Sequence, residues 1–305
     1  ALPMMPLKPF LNPSTQRLNQ NRLPRCLKEI PGPPLHLYCV GQMDLCLGPK
    51  IAMVGSRADS WHGLQFAEQL AGQLAALGFV VVSGLARGID AASHRGALAV
   101  GGKTIAVLGQ GCDVVYPKQN QALYEQIARH GLLVSEYPDG TEPKPYHFPA
   151  RNRIITGLCD ALIVVEARTR SGSLISAKSA LAQGREVFAV PGPVVAGAAS
   201  GCHELIREGA HLMDSITDLY REMPNLFRHI QSAEAALPIP GEPAGQVVTD
   251  NHQALLALLT AGPMVFSDLL ANFDGTIECL AAALAHLELS GQIEHLGMLY
   301  QLRVS

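Results

Sequence analysis

The stretch IAMVGSRADSWHGLQFAEQLAGQLAALGFVVVSGLARG, residues 51–88, sets the architecture of the chain. Ile51–Val54 and Phe79–Val82 are short apolar runs with the Val and Ile content of strands buried on both faces. Between them Leu64, Ala67, Leu70, Ala71 and Leu74 recur at three- and four-residue intervals, the spacing of a helix with one apolar stripe. Gly78 then ends that helix, as a residue free to take the left-handed conformation does. Strand, helix and strand in this order make one crossover unit, right-handed and with parallel strands.

The alternation continues through Thr104–Leu108, Leu132–Val134, Ala161–Val165 and Glu186–Val190. It predicts an α/β protein built on a Rossmann-like, doubly wound parallel sheet with helices on both faces. Ligands of such sheets sit at the carboxyl ends of the strands, near the point where the strand order reverses. Four segments fall there: Gly55-Ser56-Arg57, Ser83 to Gly88, Gly109-Gln110-Gly111, and Arg168 to Ser173. Glycine lets backbone N–H groups approach an anion, and arginine offers a planar fork to phosphate oxygens. Tight turns need glycine in any case, but Arg57 and Arg87 stand within two residues of a loop glycine.

Composition sets the outer limits. The chain has 305 residues, of which 48% are apolar and 16% charged, which excludes a disordered or collagen-like protein. That length suggests two domains. No run approaches the roughly 18 apolar residues of a membrane-crossing helix. Pro3, Pro6, Pro9 and Pro13 interrupt the first twenty residues, which do not read as a secretory signal, and the expected location is cytoplasmic. The seven cysteines form no Cys-x-x-Cys pair and the histidines no His-Glu-x-x-His, so neither a disulfide scaffold nor a metal site is expected.

The net charge of −3 conceals an uneven distribution. Residues 244–305 hold one basic and six acidic residues. Residues 144–178 hold Lys144, Arg151, Arg153, Arg168, Arg170 and Lys178 against only Asp160 and Glu166. A solvated face is the ordinary reading of such a run, but this one coincides with the ligand-binding rim.

Two nucleotide motifs fail on inspection. Gly109-Gln110-Gly111-Cys112-Asp113-Val114 has valine where a dinucleotide fingerprint has glycine or alanine. Ala97 to Thr104 resembles a phosphate-binding loop, yet it leaves a helix and enters a strand, the reverse of the order that aims a helix N-terminus at phosphates. No cofactor is expected. In Phe148 to Ile155, two arginines, an amide and an aromatic ring fall together, which suits single-stranded nucleic acid: cations for phosphates, a ring for unstacked bases. Phe148 in the core with Arg151 paired to an acid such as Glu166 is the equally weighted alternative from this segment alone.

Residues 231–249 are rich in proline and glycine and read as a linker. Beyond them Asn251–Leu259, Ser267–Ala271 and Thr276–Leu289 read as helices, followed by a hairpin turning at Gly297. That is a winged-helix order. Its third helix carries Glu278 and Glu288 and no Lys or Arg, so a protein contact or regulatory role suits this acidic piece better than duplex binding.

These blocks together resemble the DNA-processing protein A family (DprA, also called Smf). The resemblance runs from about Leu23 to Arg303 and includes Val54-Gly55-Ser56-Arg57, Ser83 to Asp90, Leu108 to Pro117, Glu136-Tyr137-Pro138, Phe148 to Ile155, Ser171 to Leu174 and Val190-Pro191-Gly192. It implies a non-enzymatic, homodimeric protein that binds single-stranded DNA and loads the RecA recombinase onto it during natural transformation. Ser56, Arg57 and Arg151 would then contact phosphate and Phe148 would stack on a base. Gly84, Arg87, Gly109, Asn152, Arg153, Gly172, Ser173 and Lys178 would bind DNA or shape its loops. His62, Cys159 and His203 depart from the family's usual tyrosine, serine and asparagine.

The implied organisation is an N-terminal extension, 1–47, as the remnant of a helical domain; a Rossmann-like DNA-binding domain, 48–230; the linker, 231–249; and a winged-helix domain, 250–305. The alternative is a nucleoside-monophosphate phosphoribohydrolase on the same sheet, whose Pro-Gly-Gly loop is broken here by Pro193.

Overall fold

The computed structural model describes residues 14–56, 60–195, 197–227, 244–296 and 299–303. Among them nine strands form one sheet. In chain order these are β1 (Gln16–Asn19), β2 (His36–Gly41), β3 (Lys50–Gly55), β4 (Val80–Ser83), β5 (Thr104–Leu108), β6 (Leu132–Ser135), β7 (Ala161–Glu166), β8 (Glu186–Ala189) and β9 (His211–Leu212). The spatial order β1-β2-β6-β5-β4-β3-β7-β8-β9 reverses at β3. From β6 across to β9 every pairing is parallel. The six strands expected from sequence are all present.

Side chains alternate across this sheet as a period of two requires, with both faces buried. Ile51 and Met53 of β3 enter one apolar cluster, while Ala52 and Val54 enter the other. One layer contains α1 (Arg25–Lys28), α5 (His147–Leu158), α6 (Ser173–Ala182) and α7 (Ser200–Arg207); the opposite layer contains α2 (Trp61–Ala76), α3 (Ile89–Ala99), α4 (Gln121–His130) and α8 (Ile216–Glu222). Gly78 closes α2 with φ of 85°, a value that glycine alone takes without strain.

The sheet also reaches into the segment read as an N-terminal extension. Strand β2 pairs antiparallel with β6, and β1 pairs antiparallel with β2. Residues 14–47 thereby cover the edge that β6 would otherwise expose. Residues 1–13 lie outside the described residues.

The C-terminal part contains α9 (Ala244–Leu259), β10 (Met264–Val265), α10 (Phe266–Asn272), α11 (Ile277–Leu289), β11 (Ile293–Leu296) and β12 (Leu299–Leu302). Three helices and a three-stranded sheet in this order make the expected winged helix. Thr276 caps α11, its hydroxyl accepting from the Cys279 amide at 3.3 Å. Helix α9 begins several residues before Asn251, inside the segment read as linker; residues 228–243 lie outside the described residues. This domain rests on α2. Gln73 Nε2 donates to Glu288 Oε2 and to the Tyr300 hydroxyl, each at 3.1 Å, and Gln69 Nε2 donates to the same hydroxyl. Ala281 and Ala285 of α11 join the apolar cluster that α2 builds against the sheet.

Candidate nucleic-acid interface

The strand order reverses between β3 and β7, and a cavity of about 540 Å³ opens at their carboxyl ends. That volume lies within the range of small-molecule and nucleotide sites. Ser56 leaves β3 with its amide donating to the Glu166 carbonyl on β7 at 2.7 Å, which pins the first glycine loop to the neighbouring strand. The Glu166 carboxylate accepts from the Ser60 hydroxyl at 2.6 Å, while the Gly63 amide donates to that hydroxyl at 3.0 Å. Glu166 therefore fastens the start of α2 and is not the partner of Arg151.

Arg151 comes from α5 and is 4% exposed, so its charge must be matched inside the protein. Its Nη1 donates to the Gly84 carbonyl at 2.7 Å and to the Val107 carbonyl, and Nη2 lies 4.0 Å from Asp90 Oδ2. Asp90 in turn accepts from the Ala86 amide at 3.3 Å. The guanidinium thus ties the ends of β4 and β5 to the first turn of α3. Gly84 is glycine for a steric reason: a Cβ there would lie 2.1 Å from Arg151 Nη2. The same cation, after burial, helps hold His94 neutral, its pKa lowered to about 3. Thr104 donates its hydroxyl proton to the Val81 carbonyl at 2.7 Å, so His94 Nδ1, 2.6 Å from that oxygen, is the protonated nitrogen.

Of the residues expected from sequence, Ser56, Phe148, Arg151, Asn152, Gly172 and Ser173 line this cavity together. Gly84 and Arg87 line a smaller recess beside it, which Phe148 and Arg151 share. Gly109 sits behind Phe148, its missing Cβ 3.0 Å from the ring. Three expectations take a different form. Arg153 does not line the cavity; its Nη2 donates to both Glu136 oxygens, at 2.6 and 2.9 Å, and braces α5. Lys178 is exposed on α6 and lines neither space. Arg151 holds the floor through internal partners. Arg57 lies outside the described residues.

Sequence reasoning missed Tyr116, Pro145, Ile155, Ile175 and Ser176, which also line the cavity. Tyr116 and Ile155 lie inside the blocks Leu108 to Pro117 and Phe148 to Ile155 but were not singled out there; Pro145, Ile175 and Ser176 carry no chemical signal that marks them. Exposed Arg87 lines the recess, and the exposed cations Lys144 and Arg170 directly precede Pro145 and Ser171 of the cavity lining, with Arg168 two residues before Arg170. The site therefore has a neutralised floor, serine and glycine walls, an aromatic shelf and a rim flanked in sequence by exposed cations. Phosphate oxygens suit that rim, and a flat base suits the ring.

Fold and site define a class: Rossmann-like α/β proteins that carry a ligand cavity at the switch point and a winged helix at the carboxyl terminus. Within that class the sequence profile described as DNA recombination-mediator protein A matches residues 15–224, and that of the DprA winged helix domain matches residues 239–297. The chain belongs to the DNA recombination-mediator protein A (DprA) family. It is 50% identical to the DNA processing protein DprA of Streptococcus pneumoniae over 196 residues, covering 64% of this chain and 69% of that one. With its counterpart from Bacillus subtilis it shares 42% identity, over 72% of this chain and 74% of that one. The crystal structure of the S. pneumoniae protein superposes with a TM-score of 0.66 at 46% identity, covering 69% of this chain and 75% of that one. A structure of DNA processing protein A from Helicobacter pylori, described for that protein's single-stranded DNA binding mode, gives 0.63 at 32% identity, over 69% and 96%. Among the described residues no helix is long and apolar enough to cross a membrane.

Proposed function

We propose that this chain binds single-stranded DNA at the switch-point cavity and delivers it, as a homodimer, to a RecA-type recombinase, without catalysing a reaction. The observation that carries the reading is the convergence of Phe148 and the serine and glycine loops on one cavity, whose lining residues Pro145 and Ser171 are directly preceded by the exposed cations Lys144 and Arg170. Its floor cation is internally matched by Asp90, so the pull on a phosphate chain comes from the rim. Single-strand binding by the H. pylori relative supports the substrate class. Ser56, Asn152, Gly172 and Ser173 contact the strand; Arg57 and Arg87 neutralise phosphates; Phe148 stacks on a base; and Gly84, Gly109, Arg151 and Arg153 shape the site. Lys178 adds charge at a distance.

The test is a titration of labelled oligothymidine, and of the matching duplex, at two salt concentrations. Single strands bind more tightly, with a log–log salt slope of roughly −0.7 per phosphate neutralised, and Arg57→Ala weakens the complex. Undiminished affinity in Arg57→Ala, or release of free base from adenosine monophosphate by the purified protein, overturns the proposal.

A further inference from the structure

Ala86, Tyr116, Phe148 and Arg151 line both the 540 Å³ cavity and a neighbouring recess of about 40 Å³, so these four residues form the wall between the two spaces. The sizes differ in kind. The larger space admits a nucleobase; the smaller has room for a few waters, or for the oxygens of one phosphate. Gly84, Gln110 and the exposed Arg87 also line the recess. No ion pair engages Arg87 among the described residues.

Tyr116 is the exposed aromatic residue of that wall. Its ring lies 5.5 Å from that of Phe148, tilted by 34°. At that separation the two rings are in contact with each other and leave no gap for a base between them. Tyr116 is 42% exposed. Its loop is nevertheless firmly held. Gln110, buried beneath it, donates to the Val114 carbonyl at 3.3 Å and the Tyr116 carbonyl at 3.4 Å. Asn120 Nδ2 donates to the Leu85 and Ala86 carbonyls at 3.0 and 3.2 Å, tying the Tyr116 loop to the turn that walls the recess. The Tyr124 hydroxyl donates to the Cys112 carbonyl at 2.6 Å. An exposed aromatic ring on a loop fixed at both ends offers stacking area at little ordering cost.

We infer that Tyr116 is a second base-stacking residue: the strand places one base in the main cavity against Phe148, crosses the wall with its phosphate at the recess beside Arg87, and lays the adjacent base on Tyr116. This rests on the single-strand reading given above and extends it from one nucleotide to two. The ligand class follows from the arrangement, since a mononucleotide would leave Tyr116 unused.

The experiment uses the full chain and oligothymidine carrying 5-iododeoxyuridine, which photocrosslinks to stacked aromatic side chains, with the crosslinked peptides mapped by mass spectrometry. Affinities of Tyr116→Leu and Tyr116→Phe are measured alongside, and melting temperatures check that both variants fold. Crosslinks at both Phe148 and Tyr116 are expected. Affinity should fall roughly 5- to 100-fold in Tyr116→Leu and recover in Tyr116→Phe, which keeps the ring. Crosslinking confined to Phe148 overturns the inference whatever the affinity of Tyr116→Leu, because a loss without a Tyr116 crosslink means only that Tyr116 supports its neighbour. Wild-type protein that neither binds nor crosslinks overturns the single-strand reading itself. Wild-type binding with an unchanged Tyr116→Leu sinks the second shelf alone.

Discussion

Replacing Gly84 by alanine tests the floor of the site directly. The added Cβ would lie 2.1 to 2.4 Å from three atoms of the Arg151 guanidinium, and that group is held by two carbonyls and by Asp90. Either the guanidinium leaves or the β4 loop shifts. Leaving sacrifices two charge-assisted hydrogen bonds at about 1.5–3 kcal/mol each and takes the guanidinium away from buried Asp90. The expected loss of stability is about 3–5 kcal/mol, the range for breaking a buried pair. At a urea slope of about 3 kcal/mol per molar this moves the unfolding midpoint down by roughly 1–1.7 M. Fluorescence of Trp61, the sole tryptophan, follows the transition at the start of α2. Gly172→Ala is the matched control: it lies in the same cavity, has φ of −62° and would meet nothing within 4 Å. Its midpoint should move by no more than about 0.5 kcal/mol in equivalent energy. Equal midpoints for the two variants would refute the account of Arg151 as the residue that organises the floor.

Three other outcomes follow from the geometry. Burial pushes the Glu288 carboxyl up to about 7, with Asp214 and Asp218 adding to the effect against the Gln73 and Ser215 hydrogen bonds. The folded state therefore favours the protonated acid; its stabilising contribution is intact below about pH 4.5 and is lost as the pH rises through about 7, so Glu288→Gln should flatten the urea midpoint between pH 5 and pH 8. Arg168→Ala combined with Arg170→Ala should lower single-strand affinity and reduce the log–log salt slope by about 0.7 for each phosphate left without its cation, with the melting temperature nearly unchanged, as fluorescence anisotropy at several salt concentrations would show. Phe148→Leu, which keeps the apolar packing over Gly109 but not the flat ring, should weaken oligothymidine binding by roughly 5- to 100-fold in the same titration.

The central sheet was readable from sequence because strands buried on both faces must be continuous runs of Val, Ile, Leu and Ala. The outer strands carried no such signature. Gln16–Asn19 is an exposed edge with one buried side chain, Leu18, and His211–Leu212 is two residues long. Start signals for α9 were hidden by the proline and glycine just before Ala244. At the site, glycine loops announced themselves because close backbone approach demands glycine. What sequence could not give was the fate of each arginine. Arg151 and Arg153 are two residues apart, yet one turns to carbonyls at the ends of two strands and the other to Glu136. Burial of a cation depends on partners distant in the chain, and a local segment does not encode them.

Helix α2 serves two neighbours at once, and this bears on how the protein can be cut. Gln73 is 2% exposed only because α11 and β12 cover it, and Ala281 and Ala285 complete an apolar layer that belongs to the larger domain. A chain ended before Ala244 would bare that layer to water, and its solubility would suffer first. Trimming to the larger domain alone should therefore go with polar replacements along the uncovered flank of α2, or the shortened protein will self-associate before its other properties can be measured.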